Sequence, residues 1–257
     1  AEHEHFHIAV VGGGAGSVEL VLAMSHRLQV KPGQFDLWCA AGEILPGHSA
    51  RARQSVLSEL QRRGIRVHCN ARIAAVGDGE LTLADGSRAA YGELFWCTGA
   101  APAPWIAASG LATDEQGFLA VRDTLQAMHD DCIFGAGDIA VQVNYPRPKA
   151  GVYAVRQGPV LAHNLRALLL QKPLRQHRPQ RRFLSLISLG DKRATADRGG
   201  FSATGRWVWR WKDRIDRAFM ARFEDLPVGM DTAARDSLPR LQRLPTQPVC
   251  GGCGAKV

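Results

Sequence analysis

The sequence predicts an α/β chain. It reads as a parallel sheet carrying an inserted antiparallel meander, then an incomplete second unit of the same type, then an α+β C-terminal segment. Three observations carry this. An apolar run without alternation, Phe6 to Val11, enters a glycine cluster and then an apolar helix, as a strand buried on both faces does. Two Asp-Gly turns, Asp78-Gly79 and Asp85-Gly86, separate short alternating runs, the pattern of a meander. A later "CIFGAGDIA" repeats the strand-then-glycine arrangement ahead of another helix.

Taken in order, the first strand leads into a helix from about Ser17 to Leu28, and "FDLWCA" (residues 35–40) is the second strand. In "SARARQSVLSELQRRG", Val56, Leu57 and Leu60 share a helical face, Ser49 caps the helix and Gly64 ends it. "IRVHC" is the third strand, the meander follows over residues 72–91, and "LFWCTGAAP" returns to a buried strand ending at Thr98-Gly99. Pro102 and Pro104 mark a boundary. Beyond it "GFLAV" and "CIF" read as strands, residues 153–170 as a helix, "FLSLISLG" as a strand and "RWVWRWKDRIDRAFMARF" as a helix. Residues 225–249, rich in Pro, Arg and small polar residues, read as a linker. The resulting divisions are 1–104, 105–170, 171–224, 225–249 and 250–257.

The chain has 257 residues, 46% hydrophobic and 22% charged, with no apolar run long enough for a transmembrane helix and no signal-peptide pattern. Its six cysteines are scattered apart from the last two, which suits a reducing compartment, hence the cytoplasm. The net charge of +8 is local: residues 171–222 hold fourteen Lys or Arg against four Asp. That segment alone explains the basicity and requires a local reason.

Gly12, Gly14, Ala15 and Ser17 form a G-x-G-x-x-G-like turn between strand and helix, with Ser17 in the third glycine position. There, backbone N–H groups and the helix N-terminus face a pyrophosphate; the alternative is a tight packing turn without ligand. A dinucleotide site also wants an acid at the end of the second strand. Here that strand ends Trp38-Cys39-Ala40-Ala41, with no acid until Glu43 and no arginine for a 2′-phosphate, which favours NADH over NADPH and lowers expected affinity. Gly137 and Asp138 offer a carboxylate that bonds a polyol hydroxyl or else caps a helix. Glu19, on the first helix, is either a polar contact near the nicotinamide or an ordinary helix residue. No Cys-x-x-Cys lies within residues 1–249, and the His-rich opening reads as a frayed terminus, so no metal site is expected.

The ordered set "IAVVGGGAGSVEL", "FWCTGAAP", "FLAV" and "CIFGAGDIA" resembles the FAD-dependent pyridine nucleotide-disulfide oxidoreductase superfamily, in its type II NADH dehydrogenase-like branch. The resemblance covers residues 6–170 well and 171–224 loosely. It implies a Rossmann-like NAD(P)-binding domain, with the Gly12–Ser17 loop as the second of the superfamily's two glycine motifs, followed by the C-terminal part of an FAD-binding domain. By the same resemblance Asp138 bonds the flavin ribityl chain, and Val152, Tyr153 and Ala154 face the isoalloxazine ring. Hydride would pass from NAD(P)H to FAD and on to a quinone or another acceptor. The first FAD-binding unit of the superfamily has no counterpart here, so the chain reads as a fragment, inactive alone. A non-catalytic nucleotide- or partner-binding module is the alternative.

Two C-terminal features remain. In "RWVWRWKDRIDRAFMARF", Val208, Trp211, Ile215 and Phe219 follow a helical spacing, with Arg210, Lys212, Arg214 and Arg217 off that line. This fits an interfacial helix on the inner face of an anionic membrane, a nucleic-acid patch, the least favoured, or a helix that docks its tryptophans on the protein. Cys253 and Lys256, in "CGGCGAKV", resemble the catalytic start of selenide, water dikinase. That implies a fused kinase domain, and makes a selenium compound a further candidate acceptor.

Overall fold

The computed structural model describes residues 7–29 and 32–224; the linker, Cys250, Cys253 and Lys256 lie outside the described residues. The central sheet is parallel, in the order β3 (Arg66–His68), β2 (Phe35–Trp38), β1 (Ile8–Val11), β7 (Glu93–Trp96). Register is set by Ile8 opposite both Phe35 and Glu93, and Val11 opposite both Trp38 and Trp96. β1 is buried throughout, but its two faces serve different partners. Ile8 and Val10 pack with Val18, Val21 and Leu22 of α1 (Ala15–Leu28) and with Val56 and Leu60 of α2 (Ala50–Arg62). Ala9 and Val11 pack with Trp38 and Leu81 on the other side. That second side is covered by the meander: β4 (Ile73–Val76), β5 (Glu80–Leu83) and β6 (Arg88–Ala90), antiparallel, with Gly79 and Gly86 at positive φ in its turns. Each fully buried Leu, Ile or Phe contributes about 1.5–3 kcal/mol.

The second unit starts at α3 (Pro104–Ala108), where Pro104 sits in the first helical turn and supplies no N–H that would go unpaired. β8 (Leu119–Val121) pairs in parallel with β9 (Ala140–Gln142), and α4 (Gly151–Leu169) packs Val160 and Leu161 against their cluster. "CIF" is not a strand. The Asp130 carboxylate accepts the N–H groups of Cys132 and Ile133 at 2.7 and 2.9 Å, which curls the chain into a turn. Phe134 keeps one isolated bridge to Gln126. Gly137–Ile139 form a short 3₁₀ turn leading into β9, so Asp138 precedes a strand rather than following one.

The C-terminal segment is an antiparallel sheet of β10 (Ser185–Ser188), β11 (Ala194–Arg198) and β12 (Phe201–Gly205), then α5 (Arg206–Glu224). Ile187 and Leu189 enter the core of the first unit. Around them lies a polar clasp. Arg63, only 8% exposed, donates to Leu22 O and Leu189 O at 2.8 and 2.7 Å, and to the Glu59 carboxylate at 2.6 Å. Arg193, from the turn before β11, reaches the same carboxylate at 2.8 Å. Burial pushes the Glu59 carboxyl up, but hydrogen bonds from Arg62, Arg63 and Arg193 outweigh it and bring its pKa down to about 2. Among the described side chains of α5, Val208 alone is fully buried. Trp209 packs half-buried on the same cluster, whereas Trp207, Trp211, Ile215 and Phe223 are exposed, so the helix docks one of its three tryptophans on the described residues and leaves the other two free.

Candidate functional site

The glycine turn is built from below. Gly12 N–H donates to Trp38 O at 2.8 Å, tying the turn to the end of β2. Gly12 has φ +140°, and a Cβ there would lie 2.3 Å from Cys97 O; one on Gly13 would lie 2.2 Å from Cys39 Sγ. These two positions are glycine because backbone and thiol occupy the space. Gly14 and Gly16 differ: a Cβ on either meets no atom within 4 Å. Gly14 is the N-cap of α1 in extended conformation and has no side-chain cap, so the first N–H groups of a 14-residue helix face open space. Ser17, buried, donates its hydroxyl to Gly14 O at 2.8 Å and fills the third glycine position as packing.

At the end of β2 the expected carboxylate is replaced by the Cys39 thiol, 2% exposed, donating to Glu43 O at 3.3 Å. The neighbouring Cys69 thiol, beyond β3, is raised by burial and by Cys39 beside it. Glu43 itself is ion-paired with Arg53. Glu19 accepts the Ser188 N–H at 2.7 Å, which joins α1 to β10. Thr98 and Gly99 are exposed beyond β7, and Val152 is half-buried.

Gly137, Asp138, Tyr153 and Ala154 come together around a small cavity with Lys149 and Gln157. Gln157 accepts the Gly137 N–H at 2.6 Å, and Gly137 holds φ +74°, which fixes the turn that presents the exposed Asp138. Lys149 lies over the Phe118 ring at 3.7 Å and donates to Ala140 O at 2.8 Å. Burial lowers its pKa, with Asp114 and Asp138 opposing. Tyr153 packs edge-on to Phe183, ring centroids 5.6 Å apart. From Tyr153 and Lys149 an adjoining cleft of about 800 Å³ extends to Ala15 at the start of α1. The cavity at the Asp138 turn and the cleft that reaches Ala15 are thus neighbours, sharing Arg147, Pro148, Lys149, Ala150 and Tyr153 as a common wall. Sequence reading missed the other wall of the cleft, Arg147, Arg181 and Arg182 with His48 and Asp197. The one available signal was the unexplained basicity of residues 171–222. Among the described residues no cluster of three or more His, Cys, Asp or Glu could hold a metal ion.

An open glycine turn between a parallel strand and a helix, with a second glycine-Asp turn in the following unit, is the layout of a dinucleotide-binding α/β fold. Residues 2–158 match the pyridine nucleotide-disulphide oxidoreductase family, and the chain belongs to it. It is 31% identical over 186 residues to the type II NADH:quinone oxidoreductase of Haemophilus influenzae, covering 65% of this chain and 41% of that protein. It is 26% identical over 214 residues to an internal alternative NAD(P)H-ubiquinone oxidoreductase, mitochondrial, of Solanum tuberosum, covering 78% of this chain and 42% of that one. The chain therefore spans less than half the length of these relatives. In fold it is similar to the sulfide:quinone oxidoreductase of Aquifex aeolicus, with TM-score 0.68 at 14% identity over 86% of this chain and 58% of that one. An FAD-dependent pyridine nucleotide-disulphide oxidoreductase from Desulfovibrio vulgaris gives TM-score 0.60 at 20% identity, over 77% and 50%.

Proposed function

We propose that this chain is the nicotinamide-nucleotide side of a flavin-dependent NAD(P)H oxidoreductase that passes electrons to a quinone or another acceptor. The observation that carries the reading is the open, uncapped glycine turn at α1, whose Ala15 lines the cleft that adjoins the Asp138–Tyr153 cavity. The residues fit the groups unevenly. Gly14, Ala15 and Gly16 offer backbone N–H groups to a pyrophosphate. Cys39 offers the adenosine ribose no carboxylate, and with no arginine at that strand end NADH is favoured over NADPH. Asp138 and Gly137 suit a ribityl chain, and Tyr153 and Ala154 suit the edge of a flavin ring. Bound FAD supplies a two-electron acceptor for the hydride of a reduced nicotinamide. The chain's own residues position the two and exclude water rather than act as acid or base.

Three extensions belong to the same reading. The exposed Trp207, Trp211, Ile215 and Phe223 of α5, interleaved with Arg210 and Arg214, support a peripheral contact with an anionic membrane face. No helix among the described residues is long and apolar enough to cross a membrane. The "CGGCGAKV" stretch supports a following selenide, water dikinase-like domain carrying Cys253 and Lys256, and with it a selenium compound as acceptor. Cys39 in place of the acid favours a second reading, a non-catalytic nucleotide-binding module that regulates such a domain.

The test is the visible spectrum of the full-length protein before and after anaerobic NADH. A flavin band bleached by NADH is expected. Absence of the band, or a band that NADH leaves intact, sinks the oxidoreductase reading and leaves the regulatory one.

A further inference from the structure

The 800 Å³ cleft has a lining that the glycine turn does not explain. Arg147, Lys149, Arg181 and Arg182 face it, against one carboxylate, Asp197. Among the described residues none of these four cations makes an ion pair with a carboxylate. Three long helices also begin at its rim: Ala15 is the first residue of α1, Ser49 the N-cap of α2 and Ala150 the uncapped N-cap of α4. Arg147 donates to Gln180 O and Pro146 O at 3.3 and 2.9 Å, but guanidinium groups without a carboxylate partner and helix N-termini converging on one concavity suit an anion.

Asp197 gives the cleft a direction. It is 7% exposed; one oxygen accepts the Ser49 N–H at 2.9 Å, and the other is buried without a partner. The adjacent His48 is held through Nε2 to Ser185 Oγ at 3.0 Å, and its Nδ1 is likewise buried without a partner. A phosphate is repelled by that carboxylate, whereas a hydroxyl or an amide N–H is not. The cleft therefore suits a ligand with an anionic part and an uncharged polar part. Arg181, Arg182, Ser185 and Asp197 all lie beyond residues 2–158, outside the segment that matches the family.

We propose that residues 181–200 form the second wall of the nucleotide site. Arg181 and Arg182 hold a phosphate of the bound nucleotide, and Asp197 accepts a hydrogen bond from a hydroxyl or amide of the same ligand. This rests on the reading that a nicotinamide nucleotide binds at the glycine turn.

The test measures binding of NADH and of inorganic pyrophosphate to the full chain by calorimetry, at low and at high salt. Because Arg181 and Arg182 are exposed, Arg181→Ser with Arg182→Ser leaves the core untouched, and circular dichroism verifies it. This pair weakens both ligands by about 10- to 100-fold and flattens the salt dependence. Arg181→Lys with Arg182→Lys recovers most of the loss. Asp197→Asn, which keeps an acceptor for the Ser49 N–H, weakens NADH but not pyrophosphate; equal loss of both overturns the Asp197 assignment. Wild-type affinity for both ligands in the Ser pair, at both salts, overturns the phosphate wall. If NADH binding is lost in Gly14→Glu yet unchanged in the Ser pair, the wall fails and the nicotinamide reading stands. If pyrophosphate binds through the arginines but NADH does not bind, the reading fails and the wall stands.

Discussion

Glu59→Gln addresses the clasp that fixes the second wall of the cleft. Glu59 gathers Arg62, Arg63 and Arg193 on a side chain only 6% exposed, and Arg63 continues to Leu22 O and Leu189 O. Its pKa of about 2, against 4.5 for the free carboxyl, corresponds to about 3 kcal/mol of stabilisation at neutral pH. Losing one partner of a buried ionic cluster gives a similar figure, about 3–5 kcal/mol. The direction with pH follows from the depressed pKa. The contribution is complete above about pH 4.5 and is lost as pH falls toward 2; about 2 kcal/mol of it is gone by pH 3. Urea unfolding of wild type and Glu59→Gln at pH 7 and pH 3 reads both effects, since the difference cancels the other carboxylates. A gap of about 2–3 kcal/mol at pH 7, shrinking to about 1 at pH 3, is expected. A gap under about 1 kcal/mol at pH 7, or one unchanged at pH 3, refutes the reasoning.

Other perturbations test separate parts. Gly13→Ala puts a Cβ 2.2 Å from Cys39 Sγ and costs about 1–3 kcal/mol; Cys39→Ala in the same chain recovers at least part of it, and strict additivity of the two costs argues against the contact. His177 is buried with Nδ1 2.7 Å from Gln142 Oε1, and burial lowers its pKa below 6.5 against a smaller opposing effect of Asp123. The unfolded chain then takes the proton first, so stability falls as pH drops below about 6.5. His177→Gln flattens that part of a melting-temperature profile, and parallel profiles count against the assignment. For α5, the membrane reading expects salt-sensitive sedimentation with anionic liposomes, lost in Trp211→Glu; a wild type that ignores liposomes ends it.

Local chemistry announced the first unit well. Asp-Gly pairs fix the meander turns, Ser49 accepts the Ala52 N–H as a cap, and an unbroken apolar run marks β1. The strand expected at "CIF" failed because Asp130 competes for its backbone N–H groups, and one-letter periodicity does not show such a bond. The β11–β12 hairpin went unread despite Gly199-Gly200, the turn signal at its tip. At the candidate site, the glycine turn was legible because it is shaped by backbone and needs particular residue types. The wall of Arg147, Arg181, Arg182 and Asp197 was not, since its members come from separate elements brought together only by the docking of β10 and β11 on α1 and α2. Cys39 and Cys69 are likewise distant in sequence but adjacent at the ends of paired strands.

Trp38 makes the glycine turn observable without a label. Its carbonyl holds Gly12, its indole is 7% exposed beneath the meander, and His68 stacks on it at 3.9 Å with an interplanar angle of 12°. Trp96, Trp105, Trp207 and Trp211 face solvent and Trp209 is half-buried, so the bluest emission comes from Trp38, the most buried of the six. A dihydronicotinamide absorbs where indole emits. The same fluorescence channel therefore reports the packing around the glycine turn, and, on the nicotinamide proposal, energy transfer to the added ligand.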